Sequence, residues 1–398
     1  MKKYDDKLGQ YRSMVFGQEA TSNKARSIAE SAENTSLESL SDIDQEAKIK
    51  TAIETLETLA QRHPKKAKLV HGISRELNDK GEKMLHALQV NNVKYFEEYP
   101  KSIELLEVIV RTDGTRPSYL LKNDRIDFST GVKGEWDEIL VASGDRIAGA
   151  MECLGRIELS GQHIGTGFLI APDLIATNQH VLQDVGQRNR NGNWELRADA
   201  GIDFGRELNG IGSRTPRKLK AVAFAGDDID PSSIDHTKLD LALIELEPID
   251  TSFLPLHILG VERNPRWADT DRYIITAGYP GDPGLRGIGM YGTEVLSMIF
   301  DYNYGFKRLS PGKTMQTTAV FTGRATHDAS TLGGNSGSLI LSLGNEGFAA
   351  GIHYGGRTGE PRENWGHILG NKLQTKPNRQ QNSLEDILKT YGAVISNN

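Results

Sequence analysis

Three short stretches place a histidine, an aspartate and a serine where they could act together. "IATNQHVL" carries His180, "TKLDLALIEL" carries Asp240 and "GGNSGSLI" carries Ser336. A serine hydroxyl is a weak nucleophile at neutral pH. It needs a histidine as base, a carboxylate that orients the base, and donors for the developing oxyanion. The three residues therefore predict hydrolysis through a covalent acyl intermediate.

Each stretch also suggests how its side chain is held. His180 follows an apolar strand-like run, Asp240 precedes another, and Ser336 lies in a glycine turn before a third. Glycines on both sides of Ser336 allow unusual backbone dihedral angles. The amides of Gly334 and Ser336 could then converge on one oxygen as an oxyanion hole. Taken singly, each residue could equally be a core histidine, a strand-edge charge or a turn residue, so the hypothesis depends on all three.

The elements that would position these residues are short strands. From about Gly155 onward, "GFLIAPDLIATN" predicts a hairpin that turns at Pro172-Asp173, and "LALIELE", "RYIITAGYP" and "SLILSLGNEGFAAGIHYGG" predict further strands. Many short strands at close spacing are typical of a sandwich or a barrel. "SLEDILKT" begins at Ser383 and has Asp386 three residues later, which predicts a capped C-terminal helix.

The first part of the chain has a different texture. Residues 1–130 hold only five of the 42 glycines, which predicts a helical half ahead of a turn-rich β half. Apolar residues at helical spacing predict a hairpin of helices over about 42–62 and 64–90. About the first 22 residues lack periodicity and are expected to be mobile. We interpret 102–128 as short extended runs.

These patterns divide the chain into three parts. Residues 1–100 are interpreted as a helical regulatory or partner-binding module, and 101–144 as an extended linker that packs on the remainder. Residues 145–398 are interpreted as the domain that carries the chemistry. The helical module could regulate that domain, or it could be an accessory that merely extends the fold.

The motifs resemble a known family. "GTGFLIAPDLIATNQHVL", "LDLALIEL" and "GGNSGS", in the order His, Asp, Ser, resemble the chymotrypsin-like (trypsin-like) serine proteases, and "ITAGYPGD" resembles their bacterial members. The resemblance covers about 145–395 and implies a double six-stranded antiparallel β-barrel. The expected fold class is therefore α+β, with an N-terminal helical region, the double barrel and a C-terminal helix. The resemblance also implies a serine endopeptidase acting on proteins or peptides.

Two further segments, "DASTLGG" and "GIHYGG", are similar to the glutamyl endopeptidase branch of that family. This similarity implies that the substrate is bound by Thr331, His353, Tyr354, Gly355 and Gly356. An imidazole and a hydroxyl can hydrogen-bond a carboxylate. A basic substrate side chain would need an acidic residue at the base of the pocket, but the residue expected there is Ser330. Glutamate, and then aspartate, is therefore expected before the cut.

Two points about that pocket stay open. His353 could be only a strand residue beneath the triad, beside a small or apolar pocket. Secreted glutamyl endopeptidases also place a free N-terminal amine near the pocket, whereas here residues 1–144 precede the barrel. Either this region is cleaved, or that contact is absent.

Composition limits the partners. The net charge of −6 argues against a nucleic-acid partner. We expect no membrane partner, because no stretch resembles a signal peptide or a membrane span. The single cysteine, Cys153, excludes an intrachain disulfide and favours a reducing, cytoplasmic location. No His-Glu-x-x-His motif occurs in the sequence, and neither a metal nor a cofactor is expected.

Two other functions remain open. The barrel could be catalytically dormant and serve as a scaffold or binding module. A serine esterase of another fold would need G-x-S-x-G, but Ser338 follows Gly337 here. Asn335 adds one expectation, because trypsin-type zymogens have an aspartate at this position that captures a newly cut N-terminus. Asn335 has no charge, so chain cleavage is not expected to activate the enzyme by that route.

Overall fold

The computed structural model describes residues 2–16, 37–131, 134, 136–212, 216–230, 233–282, 291–315, 323–357, 363–376 and 382–397. Helices dominate up to residue 112, and strands dominate after it. No helix in these ranges is long and apolar enough to cross a lipid bilayer.

Five helices pack together in the N-terminal region that is described: α1 (Lys2–Phe16), α2 (Leu37–Arg62), α3 (Ala67–Gln89), α4 (Val93–Glu98) and α5 (Lys101–Thr112). The later helices are α6 (Trp136–Ala142), α7 (Gly144–Glu152), α8 (Gln179–Val185), α9 (Tyr291–Ile299), α10 (Leu369–Lys372) and α11 (Leu384–Thr390). The predicted hairpin is confirmed, with a 3₁₀ turn at Pro64–Lys66 between α2 and α3. The predicted cap of α11 is also confirmed, because Ser383 and Asp386 form a reciprocal capping box.

Helix α1 lies where we expected a mobile segment. Leu8, Tyr11 and Val15 follow one another at helical spacing and are buried in the helical core. The Tyr11 hydroxyl donates a hydrogen bond to Glu107 on α5 at 3.0 Å. The apolar residues of α1 stand among many polar ones and give a weak local signal, and contacts with the distant α5 supply the order. The expectation is wrong for residues 2–16, and its last residues lie outside the described ranges.

The expectation of extended structure over 102–128 is wrong for its first part, which is helix α5. In the run from Ile103 to Val110, the polar residues Glu104 and Glu107 interrupt apolar residues at helical spacing, and the extended interpretation did not take this spacing into account. The helix is favoured because α5 lies between α2 and α9 and is buried along nearly its whole length. Val295, Met298 and Ile299 of α9 belong to the same core. A helix from the later part of the chain therefore completes the N-terminal bundle.

The strands follow in chain order. They are β1 (Tyr119–Lys122), β2 (Arg125–Ile126), β3 (Leu154–Leu159), β4 (Gln162–Ala171), β5 (Leu174–Thr177), β6 (Gly186–Arg188), β7 (Trp194–Leu196), β8 (Ala200–Asp203), β9 (Arg217–Ala225), β10 (Ala242–Leu246), β11 (Gly260–Val261), β12 (Tyr273–Gly278), β13 (Arg308–Lys313), β14 (Arg324–His327), β15 (Leu339–Ser342), β16 (Phe348–Ala349), β17 (Gly351–Gly356) and β18 (Asn364–Ile368). Pairs β6–β7 and β11–β16 form small separate sheets.

The first barrel is a closed ring of strands in the order β10, β5, β4, β3, β8 and β9. The predicted hairpin at Pro172-Asp173 joins β4 to β5, and its two strands pair antiparallel. Apolar side chains of the barrel strands, such as Phe168, Ile175 and Leu243, are almost fully excluded from solvent. This burial holds the ends of β5 and β10 rigidly, and the candidate histidine and aspartate lie at these ends.

The second sheet, among the described strands, has the order β14, β18, β17, β15, β12, β13, β1 and β2. An antiparallel bridge between Thr314 and His327 joins the end of β13 to β14. The amide of Met315 also donates to the carbonyl of Thr326 at 2.7 Å. The strands from β14 to β13 therefore close into a second barrel. Together with the N-terminal helices and α11, this confirms the expected fold class.

Strand β1 attaches the N-terminal region to the second barrel. Tyr119 and Leu120 pair antiparallel with Leu309 and Arg308, on the edge of β13 that β12 does not occupy. The segment that we expected to be a linker thus contributes hydrogen-bonded strands to the sheet that carries the candidate serine.

Candidate active site

His180 is held by its backbone and by its ring. It is the second residue of α8, directly after the end of β5, and Asn178 precedes the helix. Its amide lies 2.9 Å from Asp240 Oδ1, and its Nδ1 lies 2.7 Å from Asp240 Oδ2. Both carboxylate oxygens are thus engaged by one residue. The Nδ1 proton is directed at the carboxylate, which leaves Nε2 as the acceptor nitrogen.

Two hydrogen bonds to its backbone also hold Asp240 in place. Its amide donates to His367 Nε2 at 3.0 Å, and its carbonyl accepts from Asn178 Nδ2 at 2.8 Å. The Tyr354 ring stacks on His367 with centroids 4.4 Å apart. Burial lowers the pKa of His367 to about 3, so this imidazole is neutral and keeps Nε2 as an acceptor.

Ser336 lies in a turn that its glycines make possible. Gly334 has φ 88° and Gly337 has φ 83°, in the left-handed region that favours glycine. A Cβ on Gly337 would lie 2.0 Å from the carbonyl oxygen of Thr166, so the turn also needs glycine for space. The carbonyl of Ser336 accepts a hydrogen bond from the amide of Thr166 at 2.8 Å. The turn is thus attached to β4 of the first barrel.

A second contact brings the serine turn beside the histidine helix. Gly165 packs closely against both segments: if it carried a side chain, its Cβ would lie 2.7 Å from the Val181 side chain and 3.2 Å from the Ser336 carbonyl oxygen. Val181 is the neighbour of His180. The structure therefore brings the segments of His180, Asp240 and Ser336 to one place at the junction of the two barrels.

Uncharged groups hold the proposed oxyanion loop. The buried Asn335 accepts a hydrogen bond from Ser338 Oγ at 3.2 Å on its Oδ1, and its carbonyl accepts from the Ser338 amide at 2.9 Å. The amide of Gly281 donates to the carbonyl of Gly333 at 2.5 Å. These contacts agree with the expectation that no new N-terminal amine is required to shape this loop.

The hydroxyls predicted to line the substrate pocket are already hydrogen-bonded within the protein, whereas the predicted histidine is buried beside a second histidine. The Thr331 hydroxyl donates to Asn364 Oδ1, and the Ser330 hydroxyl donates to the carbonyl of Arg116 at 2.8 Å. His353 is buried, its ring centroid lies 5.6 Å from that of His327, and burial lowers its pKa well below the usual value.

The backbone of the predicted pocket strand has one open edge. Gly355 and Gly356 pair with β18, whereas β15, on the other edge, pairs with Gly351 and Ile352 among the described residues. The prediction that a substrate binds along Tyr354–Gly356 requires such an edge for backbone hydrogen bonds, and it stays a prediction.

Four residues near the site were missed by sequence reasoning: Arg116, His163, Asn364 and His367. His163 lies beside the oxyanion loop, since a Cβ on Gly334 would come within 2.9 Å of its Cε1. Asn364 donates to the carbonyl of Ala329 at 2.7 Å. No local motif marks these residues, because each acts through contacts that are distant in sequence.

Other chemistry is not indicated around these residues. Cys153 is buried, and burial raises its pKa to about 12, so its thiol stays protonated and unreactive at neutral pH. In the described part of the chain, no group of three or more His, Cys, Asp or Glu side chains is arranged to hold a metal ion.

Comparison with known proteins agrees with this arrangement. Residues 165–352 match the family described as "Trypsin-like peptidase domain". A Lysobacter enzymogenes protein named "Probable serine protease" is 31% identical over 278 residues, which cover 64% of this chain and 70% of that protein.

Solved structures show more distant similarity. The active form of the M. tuberculosis protease Rv3671c is 18% identical, with 64% of this chain and 87% of that chain covered and a TM-score of 0.38. A Glu endopeptidase is also 18% identical, with 64% and 92% covered and a TM-score of 0.40. On the strength of the family match and the Lysobacter relative, this chain belongs to the trypsin-like serine protease family and is a serine endopeptidase.

Proposed function

We propose that His180, Asp240 and Ser336 form the catalytic triad of this endopeptidase. The observation that carries the proposal is the 2.7 Å contact between His180 Nδ1 and Asp240 Oδ2, next to the turn that holds Ser336. The deciding experiment is replacement of Ser336, with peptide cleavage and labelling by a fluorophosphonate probe as the two measurements.

In this mechanism, His180 Nε2 takes the proton of Ser336 as Oγ attacks the substrate carbonyl carbon. Asp240 keeps the proton of the neutral imidazole on Nδ1 and stabilises the imidazolium that forms. The amides of Gly334 and Ser336 donate to the oxyanion. His180 then gives its proton to the leaving amine, and water hydrolyses the acyl-enzyme.

The proposed specificity is for glutamate, and then aspartate, before the cut. His353 Nδ1 is buried and has no hydrogen-bond partner among the described residues, so the imidazole has hydrogen-bonding capacity left. Asp328, an acidic side chain in the adjoining wall, is neutralised by Arg116 at 2.7 Å. The Thr331 hydroxyl already serves Asn364, so its contribution is expected to be smaller than that of His353.

A peptide panel with Glu, Asp, Lys, Phe or Ala before the cut measures this preference. We expect kcat/KM for Glu to exceed that for Ala by about 10- to 100-fold, because one polar contact to the substrate side chain is gained. His353→Leu should remove the preference, whereas the matched variant His327→Leu, which alters a buried histidine on β14, should keep it. Equal turnover of the Glu and Ala peptides by the unaltered enzyme would contradict the proposal.

The helical region, residues 1–100, is proposed to regulate the protease or to bind a partner. Its core includes Met298 of α9. The chain after α9 returns to the site, where the amide of Gly305 donates to the carbonyl of Pro280 at 2.6 Å. The next residue, Gly281, contacts Gly333 of the serine loop. A change in helix packing therefore has a short covalent and hydrogen-bonded route to the oxyanion loop. The cytoplasmic location stays a prediction.

Alanine variants of two buried methionines can distinguish regulation of the protease by the helical region from a purely stabilising role of that region. Met298, on α9, and Met84, on α3, are both fully buried in the same helical core. Each alanine variant should lose about 2–5 kcal/mol of unfolding free energy, because a cavity is left. If the helices regulate the site, only Met298→Ala should lower the cleavage rate at a temperature where both variants are folded. Unchanged rates in both variants would favour an accessory role.

A further inference from the structure

Arg116 joins the helical region to the wall of the substrate pocket. This buried side chain lies between α5 and β1. Its Nε donates to Asp328 Oδ2 at 2.9 Å, and its Nη2 lies 2.7 Å from the same oxygen. Nη2 also donates to the carbonyl of Met14 on α1 at 3.3 Å, and Nη1 donates to that of Val110 on α5 at 3.4 Å. One guanidinium thus links two helices to one residue of the wall.

The wall is attached to Arg116 at two points. Asp328 and Ser330 both lie in the segment that leads to Ser336. Asp328 contacts the Arg116 side chain, while the Ser330 hydroxyl donates to the Arg116 carbonyl at 2.8 Å. Asp328 Oδ1 also accepts from the amide of Lys313 on β13 at 2.7 Å. The carboxylate is therefore fixed on both of its oxygens.

Asn364 holds Ala329 and Thr331, the residues that alternate with Asp328 and Ser330 along this segment. Asn364 donates to the carbonyl of Ala329 at 2.7 Å and accepts from the Thr331 hydroxyl. The segment 328–331 is therefore held between Arg116 and Asn364. Removing the Arg116 side-chain contacts would take away one of these attachments of the wall, and would leave the charge of Asp328 buried without its counter-ion.

We infer that Arg116 is a positioning residue for the protease reaction, which holds the 328–331 wall in the shape that the substrate side chain before the cut requires. The helical region would thereby take part in substrate recognition and not only in stability. This inference rests on the proposed triad and pocket. It concerns binding of the substrate side chain, so it affects the peptide reaction more than attack of Ser336 on a small reagent.

The test compares Arg116→Lys with Arg111→Lys in the full chain. Lysine keeps the charge but loses the planar fork, so it cannot reach Asp328 and both helix carbonyls together. Arg111 is a matched control, because it is also buried, lies on α5, and pairs with Glu107 at 2.9 Å. For R116K we expect kcat/KM for the preferred peptide to fall about 10- to 100-fold, mainly through KM. Its fluorophosphonate labelling rate should change about threefold or less, because the probe lacks the side chain that the wall contacts.

The control and a second variant make the result decisive. R111K should leave both KM and the labelling rate near those of the unaltered enzyme, whatever it does to the thermal midpoint. Ser330→Ala removes the second attachment without changing a buried charge, and should raise KM in the same direction but less. If R116K does not fold, the Ser330→Ala result decides.

Two outcomes would overturn the inference: equal KM changes in R116K and R111K, or, where R116K does not fold, an unchanged KM in Ser330→Ala. A different failure is distinguishable. Unaltered enzyme that cleaves peptide but is not labelled at Ser336 would refute the proposed triad itself.

Discussion

Ser336→Ala is expected to lower kcat for peptide cleavage by about 10⁴- to 10⁶-fold, because the covalent route is lost and only binding and the oxyanion donors remain. Labelling by a fluorophosphonate should disappear. The KM should change little, since the hydroxyl contributes almost nothing to ground-state binding. The measurement is steady-state cleavage of a peptide by purified enzyme, with the probe signal read in parallel.

Two companions show that the loss is chemical. Asp240→Asn should lower kcat by about 10⁴-fold, because the amide no longer holds His180 in the tautomer with the proton on Nδ1. Ser338→Ala, two residues along the same turn, should cost far less, since that buried hydroxyl only supports Asn335. Retention of more than about 1% of kcat in Ser336→Ala would contradict the triad. An unaltered chain that neither cleaves nor labels would favour the dormant scaffold.

Acid is expected to unfold this protein steeply between about pH 6.5 and pH 4, because four histidines must be neutral in the folded state. Burial lowers the pKa of His327 and of His367 to about 3, that of His163 to about 4, and that of His353 well below its usual value. In the unfolded chain each would titrate near 6.5. Their stabilising effect is therefore fully present above pH 6.5 and is lost as pH falls toward 3.

The slope of the unfolding free energy against pH is proportional to the number of protons that the chain takes up on unfolding. Four groups that take up protons mainly on unfolding give about 5 kcal/mol per pH unit near pH 5, which is large beside a usual stability of about 5–15 kcal/mol. Denaturant unfolding at a series of pH values measures this slope. His327→Leu should reduce it by about one quarter, since one of the four groups is removed. The control His71→Leu alters an exposed side chain and should leave it unchanged. A flat profile down to pH 4.5 would show that these histidines are hydrated or already protonated.

Local patterns predicted the parts of this molecule that local contacts determine. His180, Asp240 and Ser336 stand at strand ends or in a glycine turn, and those contexts can be identified within ten residues of each. The cap at Ser383 and the break at Pro64 are similarly short-range. Helix α5 was misinterpreted because the helical spacing of its polar residues Glu104, Glu107 and Arg111 was not weighed against the apolar residues around them.

Other residues near the site could not be predicted from the sequence, because their partners lie far away along the chain. Arg116 meets Asp328 across 212 positions of sequence, and Asp240 meets His367 across 127. Neither arginine nor histidine has a flanking motif that names such a partner. The surroundings of the site therefore depend on which elements the fold brings together, whereas the residues proposed to react are marked by their own sequence neighbours.

Strand β1 also has a consequence for biosynthesis. Tyr119 pairs with Leu309, so a ribosome makes the strand long before its partner. At about 5–20 residues per second, the roughly 190 intervening residues take about 10–40 seconds. During that interval β2 can pair with β1, but Tyr119 and Leu120 lack their partners on β13, and such strand edges readily pair with other molecules. The nascent protein must therefore pass through a period in which its first strand is exposed to aggregation, and it leaves that period only when β13 is complete.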